Sequence, residues 1–296
     1  MDPRLLLRLA IFMLTGFSFS QREVNPETRV SPTAAPRGHL ELPFKLYTNH
    51  VIVVRGSLGE LGQLNFLIDT GANPSAVDRR IAKKLGLTGE VGKLGLFNQN
   101  VEVERVVLPS LQLGPIRTES LPGLIQDLYP VEQVIGVRID AIIGFGVLSL
   151  SSFVIDYNSK KIIFGPVEPS TLAVAFESGP PTITLKVFVQ NQPLRLLIDT
   201  GAADLVLFEC QLHGRLRELL AHGVKRSSNS AESQFELKEV WPRVRLGVTD
   251  FGSQRAFLAG DNVNCGRSFD GVLGATSLGL KRIAFDFEHR SFSWEN

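Results

Sequence analysis

Leu67-Ile68-Asp69-Thr70-Gly71-Ala72 is written a second time as Leu197-Ile198-Asp199-Thr200-Gly201-Ala202, at a step of 130 residues (199 − 69). An aspartate that follows an apolar strand and precedes a glycine leaves a buried ladder for a tight loop, where Gly71 and Gly201 let the backbone turn sharply. Other features repeat at the same step. Asp140-Ala141-Ile142-Ile143-Gly144 answers to Asp270-Gly271-Val272-Leu273-Gly274, and Asp156-Tyr157 to Asp286-Phe287. In between the register slips, since 108–114 answers to 241–247 at a step of 133 (241 − 108), so loop insertions and deletions cancel before the next anchor. A fixed long period means two copies of one unit.

The elements around the anchors are short. Alternating or β-branched runs predict strands at 51–54, 64–68, 101–104, 161–164, 182–189 and 194–198, with turns at 59–62, 158–159 and 191–193. Helical spacing predicts one helix over 76–85, stopped by Gly86, and another over 211–221. Residues 89–108 predict a β-hairpin with a mobile tip, and the alternating 235–238 after a polar stretch predicts its counterpart. Many short strands with few helices make an all-β chain. The expected division is 1–20 signal peptide, 21–41 polar Pro-rich linker or short pro-segment, 42–168 first half and 169–296 second half, with 168–179 joining the halves.

The 296 residues carry 31 basic and 30 acidic side chains and are 44% hydrophobic, enough apolar material for a large core. No basic run is interleaved with aromatics, which excludes the footprint of a nucleic-acid binder. Arg4 and Arg8 flank an apolar run over 9–17, and Ser18-Phe19-Ser20 offers small residues at a cleavage site, so a cleaved secretory signal and an extracytoplasmic, periplasmic or secreted, location are expected, with a retained anchor as the other reading. The run is short of the ~20 residues of a membrane span. Cys210 and Cys265 either pair or stay thiols. The five histidines form no ligand-spaced cluster, so no metal is assigned.

Two copies of a half-fold pack about a pseudo-twofold axis and bring equivalent loops face to face, here Asp69 opposite Asp199. Carboxylates ~3 Å apart share a proton, and one can accept from a water while the other donates to a substrate. The two Asp-Thr-Gly-Ala stretches, each preceded by Leu-Ile and each followed by an apolar-apolar-Gly segment (Ile142-Ile143-Gly144, Val272-Leu273-Gly274), resemble the aspartic peptidases over residues 42–296. The alanine after each triplet, the compact copies and the helix after the first acid are similar to the retropepsin-type branch and its bacterial relatives, as a retropepsin dimer fused into one chain. The resemblance implies a bilobal acid-protease fold of two β-barrel-like halves, each with a short helix. It implies that Asp69 and Asp199 activate the lytic water, that Thr70 and Thr200 hydrogen-bond across to the opposite loop, and that Gly71, Ala72, Gly201 and Ala202 complete the site loops. It further implies a peptide or unfolded-protein substrate under hairpin flaps, no cofactor, and a monomer. The tyrosines are Tyr47, Tyr129 and Tyr157, so neither hairpin carries the flap tyrosine of pepsin-like enzymes. A non-catalytic module that holds an extended peptide is the second reading, and a structural envelope protein a weaker third.

Overall fold

The structure, a computed structural model, describes residues 39–95, 100–177, 182–212, 214–216, 224–229, 234–260 and 268–295. The expected signal peptide, most of the linker, Cys265, the tip of the first hairpin and part of the 225–233 stretch lie outside them. The described chain is mostly β, in two curled sheets of 15 and 9 strands.

Each acid sits at the end of a hairpin's second strand. Val51–Leu58 pairs antiparallel with Leu61–Ile68, turning at Gly59 with φ 56°. Thr184–Val189 pairs likewise with Gln192–Asp199. This second turn is made by Gln190 and Asn191, both at positive φ, one residue earlier than the expected Asn-Gln-Pro turn. Two consecutive positive-φ residues suit the twist of a tight hairpin, and Asn tolerates that conformation.

The apolar-apolar-Gly segments thread parallel beside the acid strands: Ile142 lies opposite Leu67, and Val272 opposite Leu197. Their other edges pair antiparallel with Ser75–Asp78 and Leu205–Phe208, the strands that leave the two acid loops. All eight residues of those two strands are buried. The helix expected over 76–85 is therefore a strand followed by a shorter helix, Arg79–Lys84. Asp78 sets the boundary, because its carboxylate accepts from Arg80 N at 2.9 Å and so caps a helix that starts after it. Of the helix expected over 211–221, residues 211 and 212 fall in the helix Glu209–Leu212, which is entered from a buried strand, while 213 and 217–221 lie outside the described residues.

Unanticipated elements are the helices Tyr129–Ile135 and Phe145–Leu148 and the strand Ala173–Ala175, which falls in the expected joining segment and pairs with Ser291–Glu295. The hairpin over 89–108 is present as Glu90–Gly95 against Asn100–Leu108, and Val224–Asn229 pairs with Gln234–Val240 in the second sheet.

Strands from both sides of residue 168 share the larger sheet. One end of it runs Ala173–Ala175, Ser291–Glu295, Arg282–Asp286, Phe153–Asp156, Lys161–Phe164, Leu40–Tyr47. Phe153, Phe285, Phe164 and Phe292 project from this stretch into a core cluster that also takes in Ile68 and Ile198. Phe153 stacks on Phe285 with ring centroids 4.8 Å apart. The residues just before both acids are thus anchored in the same apolar mass.

Candidate functional site

The two Asp-Thr-Gly loops meet through hydrogen bonds that exchange partners. Thr70 N donates to Thr200 Oγ1 at 3.0 Å and Thr200 N to Thr70 Oγ1 at 3.1 Å. Each hydroxyl in turn donates to the carbonyl that precedes the opposite acid, Thr70 to Ile198 O at 2.9 Å and Thr200 to Ile68 O at 3.0 Å. Both threonines are buried, so these four bonds satisfy groups that water does not reach. A hydroxyl is required because it accepts from one amide while donating to one carbonyl.

Asp69 and Asp199 are both fully buried. Asp69 Oδ1 accepts from Gly71 N at 2.8 Å and Ala72 N at 3.0 Å, and Asp199 Oδ1 accepts from Gly201 N at 2.6 Å. Each loop therefore aims its own acid. A Cβ added at Gly71 would lie 2.5 Å from Asp199 Oδ2, so the second acid rests directly on the first acid's loop, and glycine is the residue that leaves it room. Among the described residues, the Oδ2 atoms of both acids are buried without a donor.

Electrostatics agree. Burial raises the Asp69 carboxyl well above the ordinary carboxylate value, and the Asp199 charge and hydrogen bond raise it further against the pull of the Gly71 and Ala72 amides. Burial likewise pushes Asp199 up to about 6, opposed by hydrogen bonds from Asp69, Gly201, Ala202 and Gly71. Two buried carboxyls that each disfavour ionisation beside the other form a unit that keeps a proton where isolated carboxyls lose theirs.

Repeated features of the sequence become supports. Asp140 Oδ2 accepts from Asn65 N at 2.9 Å, and Asp270 Oδ2 from Arg195 N at 2.8 Å, so each pins the acid strand four residues before its acid. Asp156 Oδ1 takes the Asn158 and Ser159 amides while Asp286 Oδ1 takes Glu288 and His289, closing the turns of the shared sheet. Gly144 and Gly274 pass so close to the loops that an added Cβ would lie 2.3 Å from Ala72 O and 2.6 Å from Ala202 O. Ala72 belongs to a buried cluster that also holds Leu67, Val103 and Leu124, and Ala202 to one that also holds Leu197, Leu237 and Phe257, so each loop and a residue of the neighbouring hairpin share an apolar cluster.

Sequence reasoning also missed Ser75 and Tyr157. The Ser75 hydroxyl accepts from Gly144 N at 3.0 Å. The Tyr157 hydroxyl is buried without a partner among the described residues, and burial first, then the Asp199 charge, raises its pKa. Cys210 is disulfide-bonded and packs against the cluster behind Asp199. Among the described residues there is no group of three or more His, Cys, Asp or Glu placed to hold a metal, and no helix long and apolar enough to cross a membrane.

No curated protein matches the chain. Residues 54–147, the part that contains Asp69 and the Ile142-Ile143-Gly144 segment, match the family model described as aspartyl protease, which supports an aspartyl protease family.

Proposed function

We propose that this protein is an aspartic endopeptidase whose water is activated by Asp69 and Asp199 together. The observation that carries the reading is the buried acid pair held by the exchanged Thr70 and Thr200 hydrogen bonds. A water between the carboxyls gives a proton to the ionised member as its oxygen adds to the peptide carbonyl carbon, while the protonated member donates to the carbonyl oxygen. Collapse of the resulting gem-diol breaks the C–N bond, with a proton passing to the departing nitrogen.

The finer reading is a retropepsin-like unit duplicated within one chain, bilobal about a pseudo-twofold axis. The register of the shared sheet supports it. Phe153 pairs with Phe285 and Ile155 with Ile283, around the central pair Val154 and Ala284. Replacing each residue by its counterpart 130 positions away turns the first of these pairs into the second. A substrate held extended between the hairpins, secretion through the signal at 1–20 and action as a monomer belong to the same proposal.

The test is hydrolysis of an unfolded protein between acidic and neutral pH by the wild type, Asp69→Asn and Asp199→Asn. Turnover by the wild type alone supports the proposal. Equal turnover by all three would falsify it, and a peptide that stays bound and uncut by the wild type would make the chain a binding module instead.

A further inference from the structure

Tyr157 and Phe287 answer to each other at the step of 130 (287 − 157), and their settings are equivalent. Phe44 N donates to Lys160 O at 2.9 Å and its ring meets Tyr157 edge-on, with centroids 6.1 Å apart. Phe176 N donates to Arg290 O at 2.8 Å and its ring meets Phe287 at 5.9 Å. The turns that follow the two apolar-apolar-Gly segments also match, since Val147 N donates to Gly144 O and Ser277 N to Gly274 O.

Within that common frame the second acid has the more polar backing. On the first side Phe145, whose N donates to Ala72 O, sets its ring 5.8 Å from Phe287, and both Phe145 and Val147 are buried. The corresponding residues on the second side are Ala275, whose N donates to Asp199 O at 2.8 Å, and Ser277. No ring therefore stands against Tyr157 as Phe145 stands against Phe287, and two hydroxyls are gained. Both of them, Tyr157 Oη and Ser277 Oγ, are buried without a partner among the described residues. Phe287 shows that a plain ring packs in this setting, so the Tyr157 hydroxyl carries a desolvation cost that packing does not call for. Tyr157 packs against the core cluster that holds Ile198, and the Asp199 charge reaches its hydroxyl.

We propose that Tyr157 is a positioning residue that makes Asp199 the charged member of the acid pair and Asp69 the member that carries the proton. A hydroxyl hydrogen rotates to suit its surroundings and turns toward an anion, and in a buried site that dipole favours the ionised form. The other charges near the two loops are balanced. Asp140 pairs with Arg138 and Asp78 with Arg80 on the first side, Asp270 with Arg215 and Asp204 with Arg255 on the second. Next to Tyr157, Asp156 feels Arg282, and Lys281, whose carbonyl accepts from Tyr157 N, is exposed; near Phe287, Asp286 pairs with His289. The pair itself leans the same way, because the Asp199 charge raises Asp69 while the bond from Asp69 lowers Asp199. The assignment rests on the reading of the two acids as a catalytic pair. Asp199 then takes the proton from the water as its oxygen adds to the peptide carbon, and Asp69 gives its own proton to the carbonyl oxygen.

Carbon-13 NMR of the aspartate carboxyls, titrated from acidic to neutral pH, tests it, with the two signals assigned by their loss in Asp69→Asn and Asp199→Asn. As the pair gives up its first proton, the Asp199 signal is expected to carry most of the change. In Tyr157→Phe that preference is expected to fall by about threefold, or about half a unit where folded environments move carboxyls by about 1 unit. A first step carried mainly by Asp69 in the unchanged chain overturns the proposal, and that measurement stands even if Tyr157→Phe fails to fold. So does a division between the two signals that Tyr157→Phe leaves as it was. The titration needs no turnover, so a failure of the protease reading shows separately, in the hydrolysis assay. In hydrolysis, the acid limb of kcat/KM is expected to move up by about the same half unit in Tyr157→Phe, and an unmoved limb overturns the assignment as well.

Discussion

The Asp69 and Asp199 loops share one hydrogen-bond plan and differ in what surrounds it. In common are the exchanged threonine bonds, the amides folded onto each Oδ1 and the glycine pressed against each loop. Behind the first loop, the Ser75 hydroxyl holds Gly144 N, and the cluster around Ala72 is aliphatic, closed by Leu128, Val131 and Ile135 of the Tyr129–Ile135 region. Behind the second, the Asp204 carbonyl holds Gly274 N, the cluster around Ala202 includes the rings of Phe208, Phe257 and Phe269, and Asp204 is tied by its carboxylate to Arg255 at 2.6 Å. What aims the acids is common to both sides, and what fills the space around them is free to diverge. Substitutions in the common part are expected to cost activity on either side, and substitutions in the divergent part stability on one.

The largest effect is expected at the acids. Asp69→Asn and Asp199→Asn each keep the shape and remove one carboxyl from proton transfer. Peptide hydrolysis by each is expected to fall by about 10³-fold or more, the scale of general acid–base catalysis. Measured kcat on one peptide, with circular dichroism to check folding, decides it, and a single variant that keeps full activity would break the symmetry of the comparison.

Gly71→Ala comes next. Its new Cβ would sit 2.5 Å from Asp199 Oδ2, closer than atoms approach, so the carboxylate must shift. Misplacement of a reacting group by about 1 Å costs on the order of 10²-fold. The expected result is a loss in kcat of that size with the fold kept.

Thr70→Val and Thr200→Val each delete a hydroxyl with one donor and one acceptor bond in the buried grip. An opposite amide and carbonyl then lose their partners, at a cost of about 2–5 kcal/mol for the two. Denaturant unfolding is expected to give similar losses for both variants, and a double variant that loses less than their sum, because the four bonds form one network. Clearly unequal losses would show that the grip is less symmetric than its distances.

How much of this was legible follows from which signals repeat. The acids, the threonines and the apolar-apolar-Gly segments could be read because the chain states them twice, and a doubled pattern outweighs ordinary turn chemistry at any single Asp-Thr-Gly. The strand Ser75–Asp78 was read as helix because a four-residue buried run has no period of its own and was followed by real helical spacing. Tyr129–Ile135 was missed although Pro130 stands in its first turn and Gly136 closes it at φ 75°. The supports stayed hidden for another reason. Asp140 and Asp270 were visible as repeats, but that their carboxylates hold Asn65 N and Arg195 N depends on strands crossing 75 residues apart.

The acid pair is also expected to set a pH dependence of stability. A carboxyl whose pKa is higher in the fold than in the unfolded chain binds more protons when folded. The pair's contribution is therefore complete below the ordinary value near 3.8 and is lost as pH rises through the folded values, about 6 for Asp199 and the raised value of Asp69. Asp156 and Asp250 are shifted the other way by hydrogen bonds, so total stability mixes both signs. The difference between the wild type and Asp69→Asn/Asp199→Asn isolates the pair. That difference is expected to move in the double variant's favour from mildly acidic to neutral pH, and no change across that range would mean that folding raises neither carboxyl's pKa.

The smallest effect sharpens the comparison most. Ser75→Ala removes the acceptor for Gly144 N and leaves a buried amide unpaired, at a cost of about 1–3 kcal/mol. The second loop has no side chain to lose there, since the Asp204 carbonyl accepts from Gly274 N at 3.1 Å. Asp204→Asn keeps that carbonyl and weakens only the carboxylate's bond to a partly exposed Arg255, so it is expected to cost less than Ser75→Ala. Because Gly144 lies against Ala72 O, and Ala72 N donates to Asp69, the loss at Ser75 is expected to lower kcat modestly as well, whereas Asp204→Asn leaves the Gly274 contact in place. Equal effects of the two substitutions on unfolding and on kcat would mean that the space behind the loops is as tightly specified as the loops themselves.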